Sequence, residues 1–289
     1  MTALLALLSS VIWGGSDFLG GTISRRAHPV AVVGASQALS LVVVVPLVVL
    51  SGSLHDPTGY LPWAAATGVV GLVSLTAFYS ALAVGTMGVV APVAATGVVV
   101  PVAIGFVRGD RPAAFQVLGV GLAIAGVVLA SGPELRGVEQ GAARGGARAL
   151  GLALVAAVGF GLVLWFLAEG GRYSVTMTVL CTRVVSLLLI GVLLVVTRLR
   201  GRRGAGGLGR RDVPLLAAVG VGDASANAIY TLATRSGLIS LVSVLGSLYP
   251  VVTVLLARTF HGERLRPVQN VGVTLALGGV VLIAAGGVQ

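Results

Sequence analysis

"RGDRPAAFQVLGVGLAIAGVVLASG" (108–132) and "HGERLRPVQNVGVTLALGGVVLIAAG" (261–286) are two copies of one pattern. Gly109, Asp110 and Arg111 match Gly262, Glu263 and Arg264, and at the same offset Gly119 matches Gly272 and Gly126 matches Gly279. Each copy is a short charged turn followed by an apolar helix with regularly spaced glycines. The flanking sequence repeats as well. "AFYSALAVG" against "AIYTLATRSG" pairs Tyr79 with Tyr230, Pro101 answers Pro250, and "SVIWGG" resembles "AVGFGL". Gln37 in "ASQALSL" stands where Arg183 stands in "CTRVVSL". The chain therefore divides into a first half, 1–131, a Gly- and Arg-rich connecting loop, 132–148, and a second half, 149–289.

Composition says where these halves reside. The 289 residues are 56% hydrophobic and only 10% charged, with a mean hydropathy of +1.04. Soluble domains are roughly 45–50% apolar and about 25% charged. Apolar runs of about 18 or more residues recur, each long enough to cross a bilayer. The spacing of turn formers and charge predicts helices over 3–21, 29–50, 62–83, 87–107, 114–131, 149–168, 175–197, 213–234, 237–257 and 267–286. The start, "MTALLALLSSVIWGG", lacks a positive n-region and reads as the first of these helices. The fold class expected is an all-α integral membrane protein of ten transmembrane helices. Because each half holds an odd number of helices, the second enters the membrane inverted, an arrangement used by secondary transporters with a site at the repeat interface.

The formal charge of +10 comes from 19 arginines against 9 acids, with no lysine. Fourteen arginines fall in odd-numbered connectors and four in even-numbered ones, while Arg183 lies inside a helix. This pattern is topological and not a nucleic-acid footprint. The positive-inside rule puts the odd connectors in the cytoplasm and both termini outside the inner membrane.

Against this background, ionisable residues at membrane depth stand out. A carboxylate there costs about 2.5–3.5 kcal/mol on insertion scales, so it faces the bundle interior and needs a partner. Asp223 falls near the middle of the eighth helix, with Asn227 four residues on along the same face and Tyr230 and Thr231 extending the stripe. Arg183 lies at comparable depth in the seventh, and an Asp223–Arg183 ion pair keeps both charges. That pair serves a substrate or proton site, or only fastens two helices. Asp17 in "WGGSDFLGG" is a second candidate, lining a cavity with Trp13 and Ser16, or else hydrated at an interface or paired with Arg25 or Arg26. Gln37, Tyr79, Trp165 and Tyr249 rank lower. Glu169 and Arg172 read as a solvated helix end. Asp110, Arg111, Glu263 and Arg264 read as structural, tying tight turns. Pro92, Pro101 and Pro250 fall inside helices, where each removes a hydrogen bond and can kink the chain.

Other chemistries find no support. "GAGGLG" (204–209) fits a dinucleotide pattern but follows no strand. No Walker A motif, G-x-S-x-G elbow or Cys/His cluster is present, so no cofactor and no metal are expected. The lone Cys181 lies in an apolar run and reads as a small hydrophobe.

With the repeat in view, the chain resembles the EamA branch of the drug/metabolite transporter superfamily. The residues that carry the resemblance are Trp13-Gly14 near the end of helix 1, Gly262-Glu263-Arg264 after helix 9, the glycine-spaced "VGVTLALGGVVLIAAG", and the degenerate "GDR" copy. The resemblance implies a secondary transporter, often an exporter of small metabolites, working by alternating access without ATP. Protons are then a candidate coupling ion, and the assembly a monomer or homodimer. Such proteins often carry an Arg in the second helix where this chain has Gln37. The competing readings are a non-transporting sensor or assembly protein, and a membrane-embedded enzyme. The sensor reading expects a fully satisfied Asp223 and no polar cavity between the halves.

Overall fold

The computed structural model describes residues 2–107, 140–200, 207–236, 239–263 and 265–285, with isolated positions between 114 and 129. Asp110, Arg111 and Arg264 lie outside the described residues. All regular structure among the described residues is helical. The helices are α1 (Thr2–Ser24), α2 (Pro29–Leu50), α3 (Leu61–Val84), α4 (Met87–Ala95), α5 (Val99–Val107), α6 (Gln140–Gly171), α7 (Val175–Leu199), α8 (Val213–Ser236), α9 (Ile239–Gly246), α10 (Tyr249–Phe260) and α11 (Pro267–Ala285). Proline opens several of them, as with Pro29, Pro250 and Pro267, because the first turn has no use for its missing N–H.

Six described helical segments are long and apolar enough to cross a membrane. Their outer faces carry exposed Leu4, Leu8 and Val11 on α1, Val42 and Val49 on α2, and Leu188 and Val192 on α7. Side-chain hydroxyls inside them are satisfied locally. Ser36 donates to Val33 O at 3.0 Å and Thr178 to Ser174 O at 2.5 Å, which suits a medium without water.

Two expectations about continuity are corrected. The fourth and ninth helices, read as single spans that Pro101 and Pro250 can kink, are each interrupted. A 3₁₀ turn, Thr96–Val98, separates α4 from α5, and Ser247–Leu248 separates α9 from α10. The cause is the paired prolines. Pro101 and Pro250 cannot donate to the carbonyls four residues back, Gly97 and Gly246, so the ladder fails there in both halves. The sixth helix also begins earlier than expected, at Gln140, within the stretch read as a connecting loop. Its "QGAARGGARAL" start mixes glycine with alanine and arginine, which are good helix formers.

The most extensive helix pairings cross between the halves: α3 with α6 and α7, α1 with α8 and α10, and α2 with α7 and α8. The pattern is symmetric. The pairing of α1 with α8 answers that of α6 with α3, and α3 with α7 answers α8 with α2. The halves thus build a shared interior instead of two separate cores.

Candidate functional site

At the meeting of α1, α2, α3, α6, α7 and α8 lies a cavity of about 710 Å³ of empty space, counting its open mouth. Each wall comes from a helix midsection. Trp13 and Asp17 project from α1, Gln37 from α2, Arg183 from α7, and Asp223 and Asn227 from α8. The cavity brings these six together.

Arg183 is 3% exposed and its Nη2 lies 2.6 Å from Asp223 Oδ2. The approach is short, yet Nε and Nη2 direct no N–H at an acceptor, so the contact is ionic and not a directed hydrogen bond. Asn227 Nδ2 donates to the same Oδ2 at 3.2 Å, one helical turn along. Asp17 is 7% exposed and forms no hydrogen bond or ion pair with a described residue. Arg25 and Arg26 do not reach it. They pair with Glu263 and Asp212, each at 2.6 Å. Asp17 and Asp223 both line the cavity.

Tyr79 and Tyr230 stand behind the wall. Tyr230 is fully buried, shares a hydrogen bond with Ser243 at 2.8 Å, and packs on Trp13 at 5.5 Å between ring centroids. Tyr79 is fully buried against Gly20, its hydroxyl without a partner. Trp165 lies apart, edge-on to Trp63 at 5.6 Å and donating to Glu169 at 3.3 Å. Glu169 is itself buried and also bonds Arg172 at 3.1 Å, so this helix end is less solvated than expected.

Sequence reasoning missed part of the lining. Phe160 of α6 and Thr67, Gly71 and Ser186 carry no charge to single them out. Gly246 and Ser247 reach the cavity because the helix breaks beside them, and Pro250 was the available signal. Glu263, read as tying its own turn, reaches beyond it. Gly262 makes that turn at φ 63°, and Glu263 then takes Arg25 through Oε1 and the N–H of Gly88 at 3.1 Å through Oε2.

A comparison with family models decides the lineage. The model described as the EamA-like transporter family matches residues 1–132 and again residues 147–285. The chain belongs to the EamA-like transporter family. No curated protein matches it. A solved structure, described only as "Crystal structure of protein", is similar with a TM-score of 0.64 and 16% identity, over 99% of this chain and 97% of its own. At that identity the likeness concerns the fold alone. The EamA family and the apolar helices together make this a multi-pass membrane protein of the transporter class.

Proposed function

We propose that the protein is a secondary transporter that moves small metabolites or drugs across the inner membrane by alternating access, in the direction of export. The observation that carries this reading is the cavity. It lies between the halves at the depth of Asp223 and Arg183, and among its lining residues Gln37, Arg183 and Tyr249 hold buried polar atoms with no hydrogen-bond partner among the described residues. Structures keep buried polar groups satisfied, and clusters of unsatisfied ones mark sites that receive something. We read the chain as ten transmembrane helices in two inverted five-helix repeats, 1–131 and 149–289, with the odd connectors cytoplasmic. The double match of one family model and the symmetric helix pairings support the repeat. So does the opposite sense of α1 and α6. The end of α1 joins the start of α8 through Arg26 and Asp212, whereas the end of α6 brings Tyr173 to Gly59 at the start of α3. We read the chain as no enzyme, since among the described residues the cavity pairs no nucleophile with an adjacent base.

The test is flux in proteoliposomes across a panel of amino acids and organic amines, with and without a pH gradient, for wild type and Asp223→Asn. Substrate flux that falls at least about tenfold in the folded variant is the expected result. A well-folded wild type that binds a panel solute in the cavity yet moves none sinks the reading.

A further inference from the structure

We infer that the solute this cavity takes is a monovalent organic cation, a primary or secondary amine on an aromatic or aliphatic body, and that Asp17 holds its charge. The inference rests on the cavity being the transport site. It follows from the charges that line it. Among the described residues three charged ones do so: Asp17, Arg183 and Asp223. Arg183 and Asp223 cancel each other at 2.6 Å. Asp17 is left over, more than nine-tenths buried, with no described cation to match it and the nearest arginines of its own helix end committed elsewhere. Among the described residues the lining therefore holds one acidic side chain without a cationic partner.

A solute of charge +1 supplies that partner. A zwitterion supplies no net positive charge, and an anion supplies none. In a site of low dielectric the distinction is large, because Coulomb energy grows as the dielectric constant falls. The remaining unpartnered atoms agree with an amine. Gln37 and Tyr249 line this cavity, and Gln37 Oε1 and Tyr249 Oη are buried atoms with no hydrogen-bond partner among the described residues. Both can accept from an ammonium, which brings up to three N–H donors, whereas a quaternary ammonium has none. The guanidinium of Arg183 has its charge met by Asp223, so it does not call for a second anion. The rings of Trp13, Phe160 and Tyr249 line the rest of the wall and favour an apolar body with a cationic head.

Four probes of one shape separate the possibilities: phenethylammonium, 2-phenylethanol, phenylalanine and 3-phenylpropionate. Binding to the full chain in nanodiscs and flux in proteoliposomes are read for each. Phenethylammonium binds about tenfold or more tightly than the other three. Asp17→Asn removes that advantage while leaving 2-phenylethanol unchanged, and Asp17→Glu, which keeps the charge, retains it to within a few-fold. Tightest binding of phenylalanine or 3-phenylpropionate overturns the inference. So does equal binding of the amine and the alcohol, which means Asp17 is neutral in the occupied cavity. No binding of the amine also overturns it, as does amine binding that survives Asp17→Asn. Binding of the amine without flux spares the inference and strikes the transport reading instead.

Discussion

At the scale of single residues, the Arg183–Asp223 pair is a unit whose parts cannot be removed singly without cost. Breaking a buried pair strands a charge, and such losses run at about 3–5 kcal/mol. Asp223 keeps a 17% exposed side chain toward the cavity, which places this pair at the lower end of that range. Arg183→Gln is expected to lower unfolding stability in detergent by about 3 kcal/mol, and Arg183→Gln with Asp223→Asn to recover most of it. If instead the two single losses simply add, the residues are not coupled and the close approach contributes nothing. The depth of both charges was legible from the sequence, because hydropathy sets the span ends and counting gives the depth. Their contact was a matter of economy of charge, and it is present. The isolation of Asp17 was not legible. It depends on Arg25 and Arg26 turning to Glu263 and Asp212, partners more than 180 residues away in the chain.

At the scale of elements, the informative feature is the pair of broken helices. Helix periodicity sees only a continuous apolar run over 237–257, and a proline within it signals a kink without saying where the free carbonyl points. The break sets Gly246 and Ser247 on the cavity wall. A Cβ added at Gly246 would stand 3.2 Å from the Tyr230 ring and 3.5 Å from Trp13, so any larger branch must grow into the open space. Gly246→Val is expected to cost about 1–3 kcal/mol of stability at most while lowering flux about tenfold or more, with Gly246→Ala falling between. Transport rates set beside unfolding curves check this. Full flux in a stable Gly246→Val protein would mean that solute does not pass this wall. Nothing in the local pattern places Thr67, Gly71, Phe160 or Ser186 on the same wall, because the helix pairings that gather them run between halves. Local patterning does not encode which helix of one half meets which of the other.

At the scale of the whole molecule, one face of the bundle is fastened by ion pairs that join the two halves. Arg25 meets Glu263, Arg26 meets Asp212, and His261 Nε2 lies 3.2 Å from Thr22 Oγ1, so the end of α1 is tied to the end of α10 and the start of α8. The arginine side chains are 35% and 55% exposed, and pairs solvated to that degree contribute about 0–1 kcal/mol each. Such a clamp is weak enough to release without a large barrier, which the proposed alternating access requires. His261 gives it a pH dependence. Burial, with the charge of Arg25, lowers the imidazole pKa below its usual 6.5, while Glu263 opposes the shift. A group whose folded pKa is lowered contributes fully above 6.5, and that contribution is lost as pH falls below 6.5 through the folded value. Protonation also sets a second cation beside Arg25. Amide hydrogen exchange over residues 22–28 and 257–263, corrected for the intrinsic rate, is therefore expected to accelerate between pH 7.5 and 5.5. Glu263→Gln should raise exchange at both pH values, because it frees Arg25 and the N–H of Gly88 together. His261→Gln, which keeps a hydrogen-bonding group near Thr22 but cannot titrate, should flatten the acid response. An acid response of full size in His261→Gln would assign the titration to another group on this face and leave the clamp without its switch.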